Sequence, residues 1–200
     1  ARWILTMLTG LATGLISIGI VSATDVIQSW RSNWIDTYWA YRDGVDSPGL
    51  LLHKVPFFVL YASANLALAL ASTLICQVFA PEAVGSGIPE VKAYLNGVRV
   101  KRFSSLRLFV VKFVATILSV SSGLAIGPEG PLVHIGAIIG ASCTKISNFL
   151  LRVLPKQWSN RLWSNTSLDT SNFSTDGERR DLVSIGAAAG FAAAFGAPIG

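Results

Sequence analysis

The chain has 200 residues, of which 52% are hydrophobic and only 14% are charged, and its mean hydropathy is +0.54. Soluble domains carry about 25% charged residues, so this composition excludes an ordinary soluble domain and predicts a polytopic membrane protein. The formal net charge of +5 does not indicate nucleic-acid binding, because the basic residues lie beside apolar segments, where membrane topology explains them.

Two long uncharged segments come first in the chain. Residues 3–23 and 55–80 are each long enough to cross a hydrocarbon core of about 30 Å, so both are predicted to be transmembrane helices. The stretch between them, from Asp25 to Lys54, is mixed in charge and rich in Trp and Tyr, which favour a membrane interface. We therefore expect a loop there with a short helix on the membrane surface.

A basic stretch follows the second apolar segment and contains no acid. Its members are Lys92, Arg99, Lys101, Arg102, Arg107 and Lys112. By the positive-inside rule this stretch is predicted to be cytoplasmic, and so is a second basic loop at about 144–181. The apolar region between these loops must then enter the membrane and return, which predicts helices at 106–126 and 129–143 with a break at Gly127 to Pro131. A last membrane helix is predicted at 182–200.

Glycines four residues apart recur along the apolar segments. This spacing lets helices approach closely and favours a compact bundle of many short helices. The pairs are Gly10/Gly14, Gly123/Gly127, Gly136/Gly140, Gly186/Gly190 and Gly196/Gly200. Cys76 and Cys143 also lie in apolar stretches, and we interpret them as small buried side chains rather than a disulfide.

The first break in the apolar pattern is Gly85-Ser86-Gly87, followed by Pro89 at an early helical position. These residues predict a short half-helix at 88–97. A helix start offers unpaired N–H groups and the positive end of the helix dipole, and Ser86 adds a hydroxyl donor. The break is therefore a candidate anion site.

The second break contains Glu129, a lone carboxylate between two apolar segments. A charge at membrane depth is costly, so a functional role is favoured over a simple acid at a helix start. The Glu129 carboxylate can compete with a free anion for the same N–H groups, and protonation of the carboxylate removes that competition. Glu129 is therefore a candidate proton-sensitive gate. His134 has two interpretations, a proton relay or a hydrogen-bonded packing residue, and the second is favoured. Motifs for phosphate loops, zinc sites and nucleophiles are missing, so no enzymatic activity, metal or other cofactor is expected.

These motifs together resemble the CLC family of chloride channels and chloride/proton antiporters, most closely its eukaryotic intracellular branch. The matching pieces are GSGIPEVKAYLNG from Gly85, GLAIGPEGPLVHIGA from Gly123 and GAAAGFAAAFGAPIG from Gly186. The resemblance implies an all-α fold of inverted repeats with tilted and re-entrant helices, of which residues 1–200 are a fragment covering most of the first repeat. It also implies a homodimer in the lipid bilayer with one ion pathway in each subunit. The implied location is a vacuolar, endosomal or lysosomal membrane.

The resemblance also assigns roles to individual residues. It implies that Ser86 and the amides of Gly87 and Ile88 bind chloride, that Gly130 lines the same anion site, and that Glu129 is the gating glutamate. The resemblance further implies that Ser86 favours chloride over nitrate, because some plant members of the family that prefer nitrate have Pro at this position.

One departure from the family pattern lies beside the gate. Pro128 stands where the family usually has Lys or Arg, which removes a positive charge and a backbone N–H donor near the anion path. The family's internal proton glutamate is expected just after Gly200. The leading hypothesis is chloride/proton exchange, with a passive voltage-gated chloride channel and a non-transporting membrane scaffold as alternatives.

Overall fold

The computed structural model describes residues 2–43, 54–153 and 176–197, and within these ranges the chain is helical with no β-strand. This confirms the predicted all-α class. In chain order the elements are α1 Arg2–Asp43, α2 Lys54–Phe79, a 3₁₀ turn Pro81–Ala83, α3 Ile88–Leu95, α4 Leu106–Ser121, α5 Glu129–Val153 and α6 Asp176–Phe195.

Helix α1 is much longer than predicted. It runs for 42 residues without interruption, so the predicted end at residue 23 and the separate surface helix are wrong. The physical reason is that residues 24–43 contain neither Gly nor Pro, and a change to polar composition does not by itself end a helix. Trp30 and Trp34 of the predicted aromatic loop are exposed on α1, while the side chains of Tyr38, Trp39 and Tyr41 lie outside the described set.

Three other helix boundaries differ from the prediction. Helix α4 ends at Ser121 instead of residue 126, because Gly123 adopts a left-handed conformation with φ of +74°. Helix α5 continues past residue 143, and α6 begins before residue 182, so both ends of the predicted loop at 144–181 are helical. The remainder of that loop, 154–175, and the predicted helix end at 198–200 lie outside the described residues. Helices α2 and α3 lie within about two residues of their predicted bounds.

Helices α5 and α6 form the centre of the bundle and pack backbone against backbone. A Cβ atom added at Gly136 would collide with the carbonyl group of Gly186, and one added at Gly140 would collide with that of Leu182. Gly190 faces the Leu132 carbonyl in the same way. The prediction of close helix approach is therefore confirmed for the Gly136/Gly140 and Gly186/Gly190 pairs.

The described glycines of the other pairs do not bring two helices together in this way. Gly10 and Gly14 have no neighbouring atom within 4 Å of an added Cβ, and the atoms nearest to one added at Gly127 belong to the side chain of Glu129. Gly123 and Gly196 follow helix ends with φ of +74° and +61° and stop those helices, and Gly200 lies outside the described residues. Spacing alone therefore did not distinguish packing glycines from capping ones.

Two of the helices are long and apolar enough to cross a membrane. They are the segments Trp3–Thr37 and Phe58–Phe79, whose most apolar stretches of 18 residues have mean hydropathies of 2.1 and 1.8, and only 6% of that stretch of the second segment is buried within the described chain. The apolar surface of α2 is therefore largely uncovered by the rest of the described chain. Helix α5 is the opposite case, since Leu132, Ile135 and Ala137 are completely buried by neighbouring helices.

Candidate anion site

The turn before α3 carries Ser86 between two glycines in left-handed conformation. Gly85 and Gly87 have φ of +83° and +81°, values that side chains with a Cβ rarely adopt. The Ile88 amide donates a hydrogen bond to the Ser86 Oγ at 3.3 Å, and the Ser86 side chain is exposed. Because Oγ accepts this bond, the hydroxyl proton stays available to a bound acceptor.

A buried lysine of α4 donates hydrogen bonds to the backbone of this turn. The Lys112 Nζ donates to the Gly85 carbonyl at 2.7 Å and to the Ala83 carbonyl at 3.1 Å, and the residue is only 2% exposed. These charge-assisted bonds tie the turn to α4. Lys112 was counted in the basic stretch predicted to be cytoplasmic and also lies within the helix predicted at 106–126; the structure places it in the helix, so only the first assignment is wrong. The sequence signal for this supporting role was a single Lys within the apolar segment LRLFVVKFVATIL, because an ionisable residue inside an apolar membrane helix usually has a function.

His134 of α5 packs directly against the same turn. A Cβ atom added at Gly87 would overlap the His134 ring, so Gly87 is required by contact as well as by its φ. The ring is 1% exposed and lies 5.5 Å from the Phe103 ring. Within the described ranges neither ring nitrogen has a hydrogen-bond partner. The favoured interpretation of His134 as a packing residue agrees with this geometry, but the hydrogen bond expected with it is not formed there.

The second helix start positions Glu129. Helix α5 begins at this residue, and the Leu132 amide donates to the Pro128 carbonyl at 2.9 Å. The Glu129 carboxylate folds back toward the chain before it, since a Cβ atom added at Gly127 would overlap the carboxylate oxygens. The side chain is partly buried. Glu129 therefore lies over the positive end of its own helix, where the dipole stabilises a negative charge.

The two helix starts meet at Gly130. A Cβ atom added there would lie 2.5 Å from the Ser86 Cβ and 3.2 Å from the Ser86 Cα. The structure thus brings the predicted residues Ser86, Gly87 and Ile88 together with Glu129 and Gly130, although they are about forty positions apart in the sequence. Only a glycine at position 130 permits this approach.

A further cation lies at the end of α4, just before the loop that leads to Glu129. The Arg31 Nη1 donates to the Ser121 carbonyl and to the Asn65 Oδ1, both at 2.7 Å, and the guanidinium lies 5.5 Å from the centre of the Tyr61 ring. It thereby joins α1, α2 and α4, and it complements the negative end of the α4 dipole. The sequence analysis had placed Arg31 in a surface loop and gave no sign of this contact.

The apolar helices, the broken α4–α5 segment and the two joined helix starts define a polytopic membrane protein. A family model described as voltage gated chloride channel matches residues 68–200. Among known proteins, chloride channel protein A of Dictyostelium discoideum is 34% identical over 199 residues, which is all of this chain and 20% of that protein. H(+)/Cl(-) exchange transporter 7 of Mus musculus is 35% identical over 202 residues, and CLC-d of Arabidopsis thaliana is 36% identical over 201; the chain covers 22% of each.

The solved structures give the same result. A eukaryotic CLC transporter superposes with a TM-score of 0.69 at 25% identity, covering 98% of this chain and 31% of the other. A slow cyanobacterial Cl-/H+ antiporter gives 0.68 at 24% identity, covering 96% and 36%. The chain belongs to the voltage-gated chloride channel (CLC) family and has the CLC fold. It spans about a fifth of the length of the curated relatives it matches.

Proposed function

We propose that this chain supplies the anion filter and the gate of a transporter that exchanges chloride for protons. The observation that carries the proposal is the contact between Ser86 and Gly130, which joins two helix starts at one point. Each helix start contributes backbone N–H groups and a positive dipole end, and together they favour a small anion over a cation. Half-helices that direct their N-termini at an anion are the usual solution for such sites in transporters.

Chloride binding is proposed for the α3 start and its neighbours. The Ser86 hydroxyl donates to the ion, and the Gly87 amide adds partial positive charge from the same turn. The Ile88 amide contributes through the hydrogen bond that it donates to the Ser86 Oγ. Lys112 keeps the turn in place through the Ala83 and Gly85 carbonyls, so the donors need no rearrangement when the ion arrives.

Glu129 is proposed as the gate and as the proton acceptor. Its carboxylate folds back over the start of α5, where it occupies the position that favours a negative charge. Protonation neutralises the carboxylate and removes its attraction to the helix start, so the side chain leaves and an anion takes its place. One proton taken up thereby permits anion movement, which is the elementary step of exchange. The names of relatives such as H(+)/Cl(-) exchange transporter 7 support this mode.

A passive chloride channel is the second candidate, because relatives named chloride channel match this chain equally well. Reversal potentials of the full-length protein in planar bilayers separate the two. For an exchanger the reversal potential shifts when a proton gradient is imposed at fixed chloride. A reversal potential that follows the chloride gradient alone would exclude exchange.

Substitution of the gate tests the assignment of Glu129. We expect Glu129→Gln to abolish chloride-driven proton uptake in vesicles while chloride flux continues, because the amide cannot carry the proton. Glu82→Gln is the matched control, since Glu82 is exposed and pairs only with Arg102 at 3.5 Å in the described ranges. Unchanged proton coupling in Glu129→Gln would refute the role. A non-transporting scaffold, in contrast, predicts no chloride flux in the wild type at all.

The proposal extends to assembly and location. We propose a homodimer with one pathway per subunit in an intracellular membrane of the vacuolar, endosomal or lysosomal type. Cross-linking of the full-length protein in native membranes, together with imaging of a tagged version, tests both statements.

A further inference from the structure

A chain of three rings leads from the connection between α3 and α4 to the anion filter. The connection is basic and exposed at Lys101 and Arg102, yet Phe103 beside them is only 3% exposed. The Phe103 ring belongs to a core cluster with Val91 of α3 and Val183 of α6. A loop residue that is buried this deeply packs as part of the helices around it.

The backbone of the connection is shaped to bury this ring. Arg102 has a φ of +57°, the one positive φ of a non-glycine residue in the described part of the chain. The Ser105 amide donates to the Arg102 carbonyl at 3.0 Å and closes the turn. A left-handed conformation is unfavourable for a residue with a Cβ atom, and burial of the Phe103 ring offsets it. The turn therefore places the Phe103 ring at a defined position inside the bundle.

Phe103 contacts two other rings. Tyr94 of α3 stacks on it with 4.4 Å between the ring centres and an interplanar angle of 3°. His134 of α5 lies 5.5 Å from it at an interplanar angle of 33°. Both separations are those of rings in direct contact. The ring cluster Tyr94, Phe103 and His134 thus joins α3, the connection and α5 in one packed unit.

The ring cluster ends at the turn that carries Ser86. The His134 ring is 1% exposed and occupies the space that a Cβ atom at Gly87 would need. Neither of its nitrogens has a hydrogen-bond partner among the described residues, so the ring acts on the turn by its shape. Lys112 holds the other side of the turn through the Gly85 carbonyl. His134 is therefore the support of the turn on its Gly87 side.

Support on the Gly87 side matters for the choice of anion. Close-packed groups transmit a displacement to their neighbours, so removal of the Phe103 ring lets the His134 ring shift away from Gly87. The Gly87 amide and the Ser86 hydroxyl then no longer keep one spacing. Donors at a fixed spacing discriminate between a spherical chloride ion and the larger, planar nitrate ion, whereas mobile donors adapt to both.

We propose that Phe103 is a positioning residue of the anion filter, which acts through His134 on Gly87 and thereby sets the preference for chloride over nitrate. The inference rests on the proposed function, because it takes the turn at Ser86 as the anion site. It assigns a part in anion selection to the connection between α3 and α4, which is predicted to be cytoplasmic.

Uptake of chloride and of nitrate by vesicles that contain the purified full-length protein tests the proposal. We expect Phe103→Leu to lower the ratio of chloride flux to nitrate flux by about threefold or more. Tyr94→Phe keeps the stacked ring and should retain the wild-type ratio. Phe113→Leu is the matched control, because it removes the same atoms from a partly buried ring of α4 that packs in a different core cluster, with Ile20 and Phe109.

A double-mutant cycle tests the route from Phe103 to the filter. If Phe103 acts through His134, Phe103→Leu should not change the flux ratio further in a protein that already carries His134→Gln. An equal change of the ratio in both backgrounds would overturn the proposal.

The other outcomes are equally decisive. A wild-type ratio in Phe103→Leu, even with an equal loss of both fluxes, would overturn the proposal, and so would the same fall of the ratio in Phe113→Leu. If Phe103→Leu fails to fold, Tyr94→Leu replaces it, because Tyr94 is only partly buried; an unchanged ratio in Tyr94→Leu would then overturn the proposal. Failure of the proposed function gives a different result, the absence of chloride flux in the wild-type protein, and this inference would fail with it.

Discussion

Gly130, in the first turn of α5, lies so close to Ser86 that a single added carbon would be 2.5 Å from the Ser86 Cβ. This contact joins the two helix starts of the anion site. It also makes position 130 intolerant of any side chain, although the helix itself would accept one.

Gly130→Ala should therefore separate the two helix starts. We expect chloride flux in vesicles to fall at least about tenfold, and the free energy of unfolding to fall by about 1–3 kcal/mol, as for other overpacked contacts. Gly10→Ala in α1 is the matched control, because nothing lies within 4 Å of its added Cβ. Normal flux in Gly130→Ala would contradict the contact.

A Gly→Ala substitution at the α5–α6 contact should lower the stability of the protein. Gly186→Ala places a methyl group against the Gly136 carbonyl, so the helices must move apart. We expect a loss of about 1–3 kcal/mol, measured as a lower midpoint of thermal unfolding in detergent. Gly14→Ala, which meets no neighbour, should keep or raise the midpoint. Equal midpoints for the two variants would show that the backbones are not in contact.

Lys112 should matter more for transport than its position in α4 suggests. Lys112→Met keeps a long side chain but removes the donor to the Gly85 and Ala83 carbonyls. Hydrogen bonds to charged groups contribute about 1.5–3 kcal/mol each, so the turn that carries Ser86 loses its support. We expect chloride flux to fall at least about tenfold in vesicles. Lys101→Met, in the exposed loop, should transport normally; if both variants do, Lys112 does not support the site.

Arg31 should influence the gate through the loop that begins at Ser121. Arg31→Met removes the bonds to the Ser121 carbonyl and to Asn65, whereas Arg31→Lys keeps a donor. We expect Arg31→Met to change the pH dependence of chloride flux and Arg31→Lys to restore most of it. If Arg31 acts through Glu129, the effect of Arg31→Met on the pH dependence should vanish in a protein that already carries Glu129→Ala. An equal effect in both backgrounds would indicate a purely structural role.

Pro128 offers a test of the local field beside Glu129. Pro128→Lys adds a positive charge where the anion approaches, so we expect a lower half-saturating chloride concentration, most clearly at low ionic strength. Pro128→Ala restores only the backbone N–H and separates that contribution from the charge. Equal chloride affinities in the two variants would show that the charge has no effect.

Much of the site was predictable because its residues carry local signals. Ser86 follows a glycine and precedes a helix with an early proline, and Glu129 is an isolated acid in an apolar run. The first pattern reflects the backbone conformation at a helix start and the second reflects the free energy of placing a charge in a membrane, and both depend on only a few neighbouring residues. The support behind the site was not predictable in the same way. His134 against Gly87 and Arg31 at Ser121 are contacts between residues 47 and 90 positions apart, and no local pattern specifies such a pairing.

By itself, then, the sequence determined the all-α membrane class, the position of both breaks and the identity of the residues at each helix start. These follow from hydropathy and from the φ values that Gly and Pro permit, which are local quantities. Only the tertiary structure decided that α1 runs unbroken to Asp43, that Lys112 belongs to the site and that Ser86 meets Gly130. Those outcomes depend on which helix faces which, and close packing of distant residues fixes that choice.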